Sequence, residues 1–569
     1  MAVNHLQNNN QGQKILTIAF GYLPVTGHLC WSKVSGSSPN HQITAFNALG
    51  EGEWNACKGA FFTGEEISPS DYEFHPGALA TGMTTGPQQV GTYFPLDTPH
   101  SRTATIGYKV PVGLGSADIQ TTPPVGFEGL FETKKCPDFN HLGVQTDFSY
   151  TTNPARQIVE LLYTYARIPN LPSIYASSAE YWLSRIDWGN WKEFRDFHEE
   201  TETVDYTTIP DFKGFGLTAK FYNGTNFQTF ITKFVRPTID FPSTSSAPAT
   251  GVTASSFSAQ FDGFIKAPAT ESRTFHFTHD NGVRFWIAPA AGSFGTPLID
   301  SWLDNGSSTA GTHTGSYAMT AGEFYKVRIQ WNNVGLTSQL KFEWSSASQS
   351  QQVVPSQYLY PEVETRKKYE SHIWIDTPLT VGEGIRRILN QTNSIMQEPN
   401  GKLRFFCLDQ LTSSFTLDNS NIDSFKFRRK DILQSDPITE LEANFRDIDH
   451  QFLNEPTTAI SHKLDVFTRQ TAENVLIVDL FATTRWQARK LLAAKAKFEY
   501  ENRLLADIIS PMSKSYPIIA GDLITVQHRK LGPTPKEFLV RKSIDKGVAE
   551  GRGQGKDIEK RMFVVQEWE

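Results

Sequence analysis

Cysteine, methionine and long apolar runs are all scarce in this chain. Among 569 residues there are six methionines and four cysteines, Cys30, Cys57, Cys136 and Cys407. The cysteine spacing holds no CxxC pair and no compact knuckle, which excludes the common sequence-local zinc modules. Isolated buried thiols are the expectation. A metal site assembled in space from the three cysteines of the first 136 residues stays open. No stretch approaches the roughly 18 consecutive apolar residues of a membrane helix. Met1 to Asn10 has no basic start followed by an apolar run, so no secretory signal is visible. The chain is therefore expected to be made as a soluble product in the cytoplasm, with no stable membrane insertion.

Basic charge is not in excess either. With 53 Lys/Arg against 60 Asp/Glu the net charge is -7, which excludes a nucleic-acid footprint for the chain as a whole. GxSxG, HExxH and P-loop patterns are missing. Asp and Glu are plentiful, yet no segment singles out the two carboxylates that glycosidic hydrolysis needs. No catalytic residue is assigned, and the expectation is a protein that is not an enzyme. Repeats with a 20 to 50 residue period are also absent.

What is abundant is aromatic: 40 Phe, 18 Tyr and 12 Trp, alongside 41 Gly and 31 Pro. That mixture favours a mainly β protein with α+β parts. The length sets a prior of about three to five domains.

One segment stands apart. Residues 214–361 carry nine Lys/Arg and eight Asp/Glu in 148 positions, a lower density than the 20% charged residues of the whole chain. Period-two alternation places Phe275 with Phe277 on one face, then Val283, Phe285 and Ile287, then Tyr325, Val327, Ile329 and Trp331. A further strand follows at Leu340 to Trp344. Frequent short strands between polar turns imply an antiparallel sandwich or barrel. The opening Gly216 to Gly224, the strand Phe275 to Ile287, Leu298 to Trp302, the strands from Phe324 and Leu340, and the closing Val353 to Pro361 together resemble a PA14 domain. That resemblance implies an inserted PA14 β-sandwich, a fold found in adhesins, toxins and glycosidases, many of which bind carbohydrate.

In lectin-like members of that family two adjacent acidic residues coordinate calcium, which grips sugar hydroxyls. The matching positions here are Asp280 and Asn281, the candidate glycan and calcium ligands, with an amide replacing one carboxylate. Calcium takes six to eight hard oxygens, of which this pair can supply two. The alternative reading is that Asp280-Asn281-Gly282 builds a turn. Asp304-Asn305-Gly306 reads as an analogous turn. Trp286, Trp302, Trp331 and Trp344 offer rings for sugars, but alternating aromatics in a sandwich are expected in its core, as are His276 and His279.

The flanks read as one α+β unit cut in two. Asn153 and Pro154 open a helix carrying Ile158, Leu161, Leu162 and Tyr165 on one face. A second helix covers Trp188 to Glu200, and a third runs from Val381 to Met396 with Ile385, Ile388, Leu389 and Ile395. A fourth, Arg485 to Asn502, turns Trp486, Leu491, Leu492 and Phe498 inward and Arg485, Arg489, Lys490, Lys495 and Lys497 outward. The first 150 residues contribute strands at Leu16 to Tyr22 and Ala104 to Val110, with a loop at Thr81 to Thr92.

The helix start at Asn153-Pro154-Ala155, the Ile186-Asp187-Trp188 segment, Gly401 to Phe406, Ser424 to Ile432, Ala443 to Asp447, Thr483 to Leu492 and Ile519 to Val526 occur in an order that resembles the tail-tip hub of long-tailed phages, the J-type central tail protein family. The resemblance implies a multidomain hub with an N-terminal β-rich unit (1–150), a split α+β unit (151–213 plus 362–412), the inserted sandwich (214–361) and a C-terminal unit (413–569), β-barrel-like with one long helix. It implies a virion tail-tip location and a homotrimer closing the tail tube, with DNA only in transit through its channel. Implied partners are the distal tail protein, the tape measure, fibre or receptor-binding proteins, and host-surface glycans. The chain ends at Glu569 soon after the hub-like region, so fibres are expected as separate proteins. Two other readings are a glycoside hydrolase carrying a PA14 module and a bacterial adhesin, the latter disfavoured by the missing signal and anchor.

Overall fold

The computed structural model describes residues 17–568 apart from 36–40, 63–64, 68–70, 78–102, 113–126, 210–211, 303–310, 336, 399–400, 429–437, 446, 451–457, 464–474, 481, 498–503 and 550–557. The expected loop at Thr81 to Thr92, the turn at Asp304 to Gly306, and Phe498 lie outside the described residues. The chain is mainly β and multidomain, as its aromatic and Gly/Pro content implied.

Two antiparallel sheets share the first core. One joins His28–Ser35, His41–Glu51, Thr103–Val112 and Tyr72–His75; the other is built on the long strand Phe127–Phe139 between Gln145–Tyr150 and Trp54–Phe62. Leu23, Ile43, Leu49, Trp54, Ile106, Tyr108, Phe127 and Phe131 fill the space between them.

The strand Ile18–Phe20 leaves that unit and pairs with Ile373–Ile375, more than 350 residues later. Around this pair lies a second core containing Ile158, Leu161, Trp191, Phe194, Ile388 and Phe405, together with Leu441, Phe445, Leu491 and Leu492. The residues that sequence reading assigned to a separate C-terminal unit, from about 440 to 496, thus pack with the split α+β unit. The cause is the small sheet of Glu440–Phe445, Thr458–Lys463 and Val475–Asp479, whose Leu441, Ala443 and Phe445 face inward beneath the helix Arg485–Lys495.

Helix signals were accurate at the starts. Asn153 Oδ1 accepts from the Ala155 amide at 3.0 Å, with Pro154 at the first helical position, opening Pro154–Glu160 and a wider final turn over Leu161–Tyr165. Asp187 caps Trp188–Glu199. The ends ran over. The helix from Val381 stops at Gln391, and Asn393 at φ +48° reverses the chain into Ser394–Gln397. Ile395 therefore pairs with Phe406 in a hairpin instead of lining a helix. A short helix, Ser178–Arg185, capped by Ser177, was missed: over eight residues it lays only Trp182 and Leu183 against the core, both partly buried.

The C-terminal strands form one curled sheet, with Ser413–Asp418 on one edge and Ser424–Arg428 on the other. Five residues connect these edges in sequence, yet flat strands at about 4.8 Å spacing would hold them roughly 24 Å apart, beyond comfortable reach of so short a link. The sheet curls accordingly, bringing the edge strand Ser424–Arg428 against the segment that follows Leu523–Gln527. Lys530 Nζ donates to the Phe425 carbonyl at 2.7 Å, and the Phe425 ring stacks on His528 at 4.8 Å.

Residues 217–361 form the sandwich. A seven-stranded sheet runs in the order Thr229–Arg236, Leu217–Asn223, Phe257–Lys266, Phe324–Asn333, Val283–Pro289 and Ile299–Ser301, with Leu359–Pro361 added beside Phe257–Lys266. A five-stranded sheet of Asp240–Thr244, Ser338–Ser346, Glu271–His279 and Gly311–Met319, with Gln349–Val353, faces it. The alternating aromatics meet between the sheets: Phe277 lies 4.8 Å from Phe342 and 5.2 Å from Phe285. Each such buried ring contributes roughly 1.5–3 kcal/mol over an exposed one. No helix among the described residues is long and apolar enough to cross a membrane.

Candidate functional site

Asp280, Asn281 and Gly282 make the step from Glu271–His279 in one sheet to Val283–Pro289 in the other. The return step, from Asn333 to Ser338, lies beside it. Two arches between the sheets therefore meet at one end of the sandwich, with the Asp280 amide donating to the Gln339 carbonyl at 2.9 Å.

Side chains bind these arches together. Asn281 sits at φ +61°, a left-handed conformation that Asn tolerates and branched residues do not. Its Oδ1 accepts from the Val334 amide at 2.5 Å, which turns Nδ2 toward Asp280 Oδ1 at 3.2 Å. The second carboxylate oxygen, Asp280 Oδ2, accepts from the Thr337 hydroxyl at 3.0 Å. His279, buried, bonds through Nδ1 to the Asn281 carbonyl at 2.8 Å and through Nε2 to His313 Nδ1 at 2.8 Å. The first contact requires a proton on Nδ1, so Nε2 accepts from His313. Burial above all holds the His279 imidazole below its usual range, and His313 adds to this. Gly282 has no room for a side chain: a Cβ there would lie 2.4 Å from Asn332 Oδ1, which already accepts from the Gly282 amide at 2.7 Å.

Neighbouring loops are tied to the same end. Asn332 Nδ2 reaches the Thr225 carbonyl at 3.4 Å, and Asn333 Nδ2 reaches the Ala254 carbonyl at 3.0 Å. Asp280 and Asn281 are thus adjacent, as the sequence implied, and both are built into a hydrogen-bonded turn.

The donor set can be compared with what calcium takes. Asp280 is the sole carboxylate of the pair, its two oxygens already accept bonds, and an N–H group of Asn281 points at one of them. A hard cation requires six to eight oxygens and repels such a donor. Among the described residues no three His, Cys, Asp or Glu side chains gather in a metal-holding group. This donor set does not fit calcium.

The tryptophans separate into two kinds. Trp331 and Trp344 are fully buried in the core and have no face for a ligand. Trp286 and Trp302 are half-buried on the outside. Trp302 stacks on Phe227 at 5.7 Å and carries the Arg284 guanidinium 5.0 Å from its ring. Phe227 itself sits at φ +56°, a strained position for a bulky side chain. Sequence reading missed Phe227; its signal is the Asn223-Gly224-Thr225-Asn226 turn before it. His279 belongs to the core as expected, whereas His276 is half-buried and bonds to Ser345 across the strands at 2.8 Å.

Of the cysteines, the side chain of Cys30 lies outside the described residues. Cys136 and Cys407 are buried and Cys57 half-buried, all as free thiols. Burial pushes Cys57 up to about 11, Cys407 up to about 12 and Cys136 well above its usual value, so all three remain thiols near neutrality.

At the opposite end the sandwich is rooted in the host. Thr201–Val204 and Glu364–Lys367 pair antiparallel, closing the two flanks on each other. Above them Val204, Tyr206, Phe215, Val235 and Tyr360 form a small core that Trp486 joins. Of the basic residues expected outward on the helix Arg485–Lys495 and just beyond it, Lys497 is exposed, whereas Arg485, Arg489 and Lys490 turn to the root. Arg485 lies 4.5 Å over the Phe215 ring and 3.6 Å from Asp447, Arg489 lies over Phe212, and Lys490 donates to Glu202 at 2.9 Å. These cations grip the root because the rings of Phe212 and Phe215 and the acidic residues Asp447 and Glu202 are the partners within reach. Arg366 bridges Glu364 and Asp449. Burial first, then Asp449, raises the Asp447 carboxyl to about 7. A cavity of about 360 Å³ lies beside this cluster, lined by Lys233, Phe234, Arg366, Glu370 and Asp449 among others.

Residues 215–358 match the PA14 domain family. Over 156 residues the chain is 31% identical to the anti-sigma-I factor RsgI3 of Acetivibrio thermocellus, a match spanning 27% of this chain and 22% of that protein's length. Among solved structures, a PA14 sugar-binding domain from an RTX adhesin is similar at 16% identity, covering 27% of this chain and all of that domain, with a TM-score of 0.22. A chain of the native gene transfer agent virion is similar at 10% identity over 98% of this chain and 86% of its own, with a TM-score of 0.42.

Proposed function

We propose that this chain is a structural virion protein, the trimeric hub at the tip of a phage tail, and that its PA14 module contacts glycans on the host surface. The observation that carries the reading is the mounting of the module. A PA14 domain stands on a paired two-stranded root in the middle of an α+β unit, with Asp280, Asn281 and the Phe227–Trp302 pair at its far end. A domain mounted this way is displayed, and its loops are free to meet a surface while the host unit assembles. The hub reading rests on the order of motifs around the insertion, from the Asn153 cap to the Ile519–Val526 turn and strand. Closed cyclic symmetry suits a tube terminus. Neighbouring tail proteins and fibres would dock on the host unit, and DNA would pass along the axis without sequence-specific contacts. In this role the chain performs no catalysis.

The test is a glycan array probed with the full chain and with a chain lacking 214–361. Binding by the first and not the second supports the glycan role. Equal signals, or none from either, remove it.

A further inference from the structure

We infer that the far end of the PA14 module is a metal-free lock, in which asparagine and histidine side chains do the loop-tying that a divalent cation would otherwise do. Four segments meet there: 223–228, 249–256, 280–282 and 332–335, with Thr337 beside the last. Each is joined to another by a side-chain amide. Asn281 joins the first arch to the second through Val334, Asn332 joins the second arch to Gly282 and to Thr225, and Asn333 joins it to Ala254. Asn223 adds the link from its own loop to Thr253, accepting from that amide at 2.8 Å.

The amide of Asn281 decides the matter. Its oxygen is fixed by the Val334 N–H, so its NH2 must face the Asp280 carboxylate. A cation beside Asp280 would have to displace that donor and the Thr337 hydroxyl, and among the described residues would gain one carboxylate in return. Charge count and rigidity set calcium affinity, and here the single carboxylate already accepts two hydrogen bonds. Behind the turn, His279 accepts from His313 and donates to the Asn281 carbonyl, which holds the left-handed turn from below. Asp280 remains half-exposed as an anionic acceptor. A hydroxyl-bearing ligand meeting this end would be held by direct hydrogen bonds to it, without an ion between them.

Calcium titration of the full chain, followed by calorimetry and by the module's thermal transition, tests this without any sugar. The expected result is no saturable heat, with the same unfolding midpoint in chelator and in millimolar calcium. Asn281→Ala should lower the midpoint by a few degrees, equally in both buffers, and speed hydrogen exchange at the Val334 amide. Thr337→Val, a milder change, should do the same to a smaller extent if Asn281→Ala does not fold. Saturable calcium binding that raises the midpoint and is lost in Asp280→Asn would overturn the inference. An unchanged Val334 exchange rate in Asn281→Ala would overturn the lock itself. Neither outcome depends on whether a glycan is ever found, so this test and the array fail independently.

Discussion

Val204 and Glu364 are opposed across an antiparallel ladder, although the whole PA14 module lies between them in the sequence. The module leaves and re-enters the host at one paired point, which is the geometry that makes an insertion tolerable.

Excision should therefore spare the host. A chain in which a short Gly/Ser link replaces 214–361 should keep a cooperative host transition, measured by calorimetry, because the pairing of Thr201–Val204 with Glu364–Lys367 does not need the module. It should also lose some stability, since Tyr206 and Trp486 surrender Phe215 and Tyr360 as packing partners. A red shift in Trp486 emission would report that exposure. Loss of all cooperative unfolding would show that module and host fold as one unit.

The root should be pH-sensitive in a definite direction. Asp447 is raised in the folded state to about 7, chiefly by burial and then by Asp449, from about 4 in an unfolded chain. A group raised in this way stabilises fully below its unfolded value, and its contribution is lost as pH rises through the folded one. The thermal midpoint should consequently fall between about pH 4 and pH 7 by more than in Asp447→Asn, whose profile over that window should be flatter. The comparison of the two profiles is the measurement.

Tryptophan substitutions should divide by burial. Trp344→Ala removes a fully buried ring packed against Tyr358 and the Arg273 guanidinium and should destabilise the module by about 3–5 kcal/mol in chemical denaturation. Trp302→Ala removes a half-buried ring at the far end and should cost about 1–2 kcal/mol, while weakening glycan binding more than Trp344→Phe does. The reverse order would move the contact surface away from Trp302.

Gly282→Ala should open the arch. Its Cβ would press on Asn332 Oδ1, which is held by the Gly282 amide, so the loss should be about 1–3 kcal/mol, seen as a lower module midpoint with the host transition unchanged.

Much of this was legible in the sequence, for physical reasons that differ by element. The sandwich declared itself because its faces differ: Phe275, Phe277, Phe342 and Trp344 are core, and the residues between them are not. The helix starts at Asn153 and Asp187 were readable because caps are local. Helix ends were not, since a single left-handed Asn393 terminates the third helix and nothing in the apolar pattern announces it. The basic face of Arg485 to Lys490 was misjudged because a charge run looks alike whether it meets water or aromatic rings across a junction. Membership of the cores was also hidden, because Ile18 and Ile375 are brought together only by the folded chain. At the candidate site the sequence named the pair Asp280 and Asn281, but their partners Val334 and Thr337, and His313 behind them on His279, lie far along the chain, where sequence spacing says nothing.

The central claim is an assembly that displays PA14 modules, and imaging of the purified full chain by electron microscopy tests it most directly. A threefold ring with three peripheral lobes, each lobe missing in the chain without 214–361, is the predicted result. A compact monomer at every concentration, with no ring and no lobe that the excision removes, would contradict it.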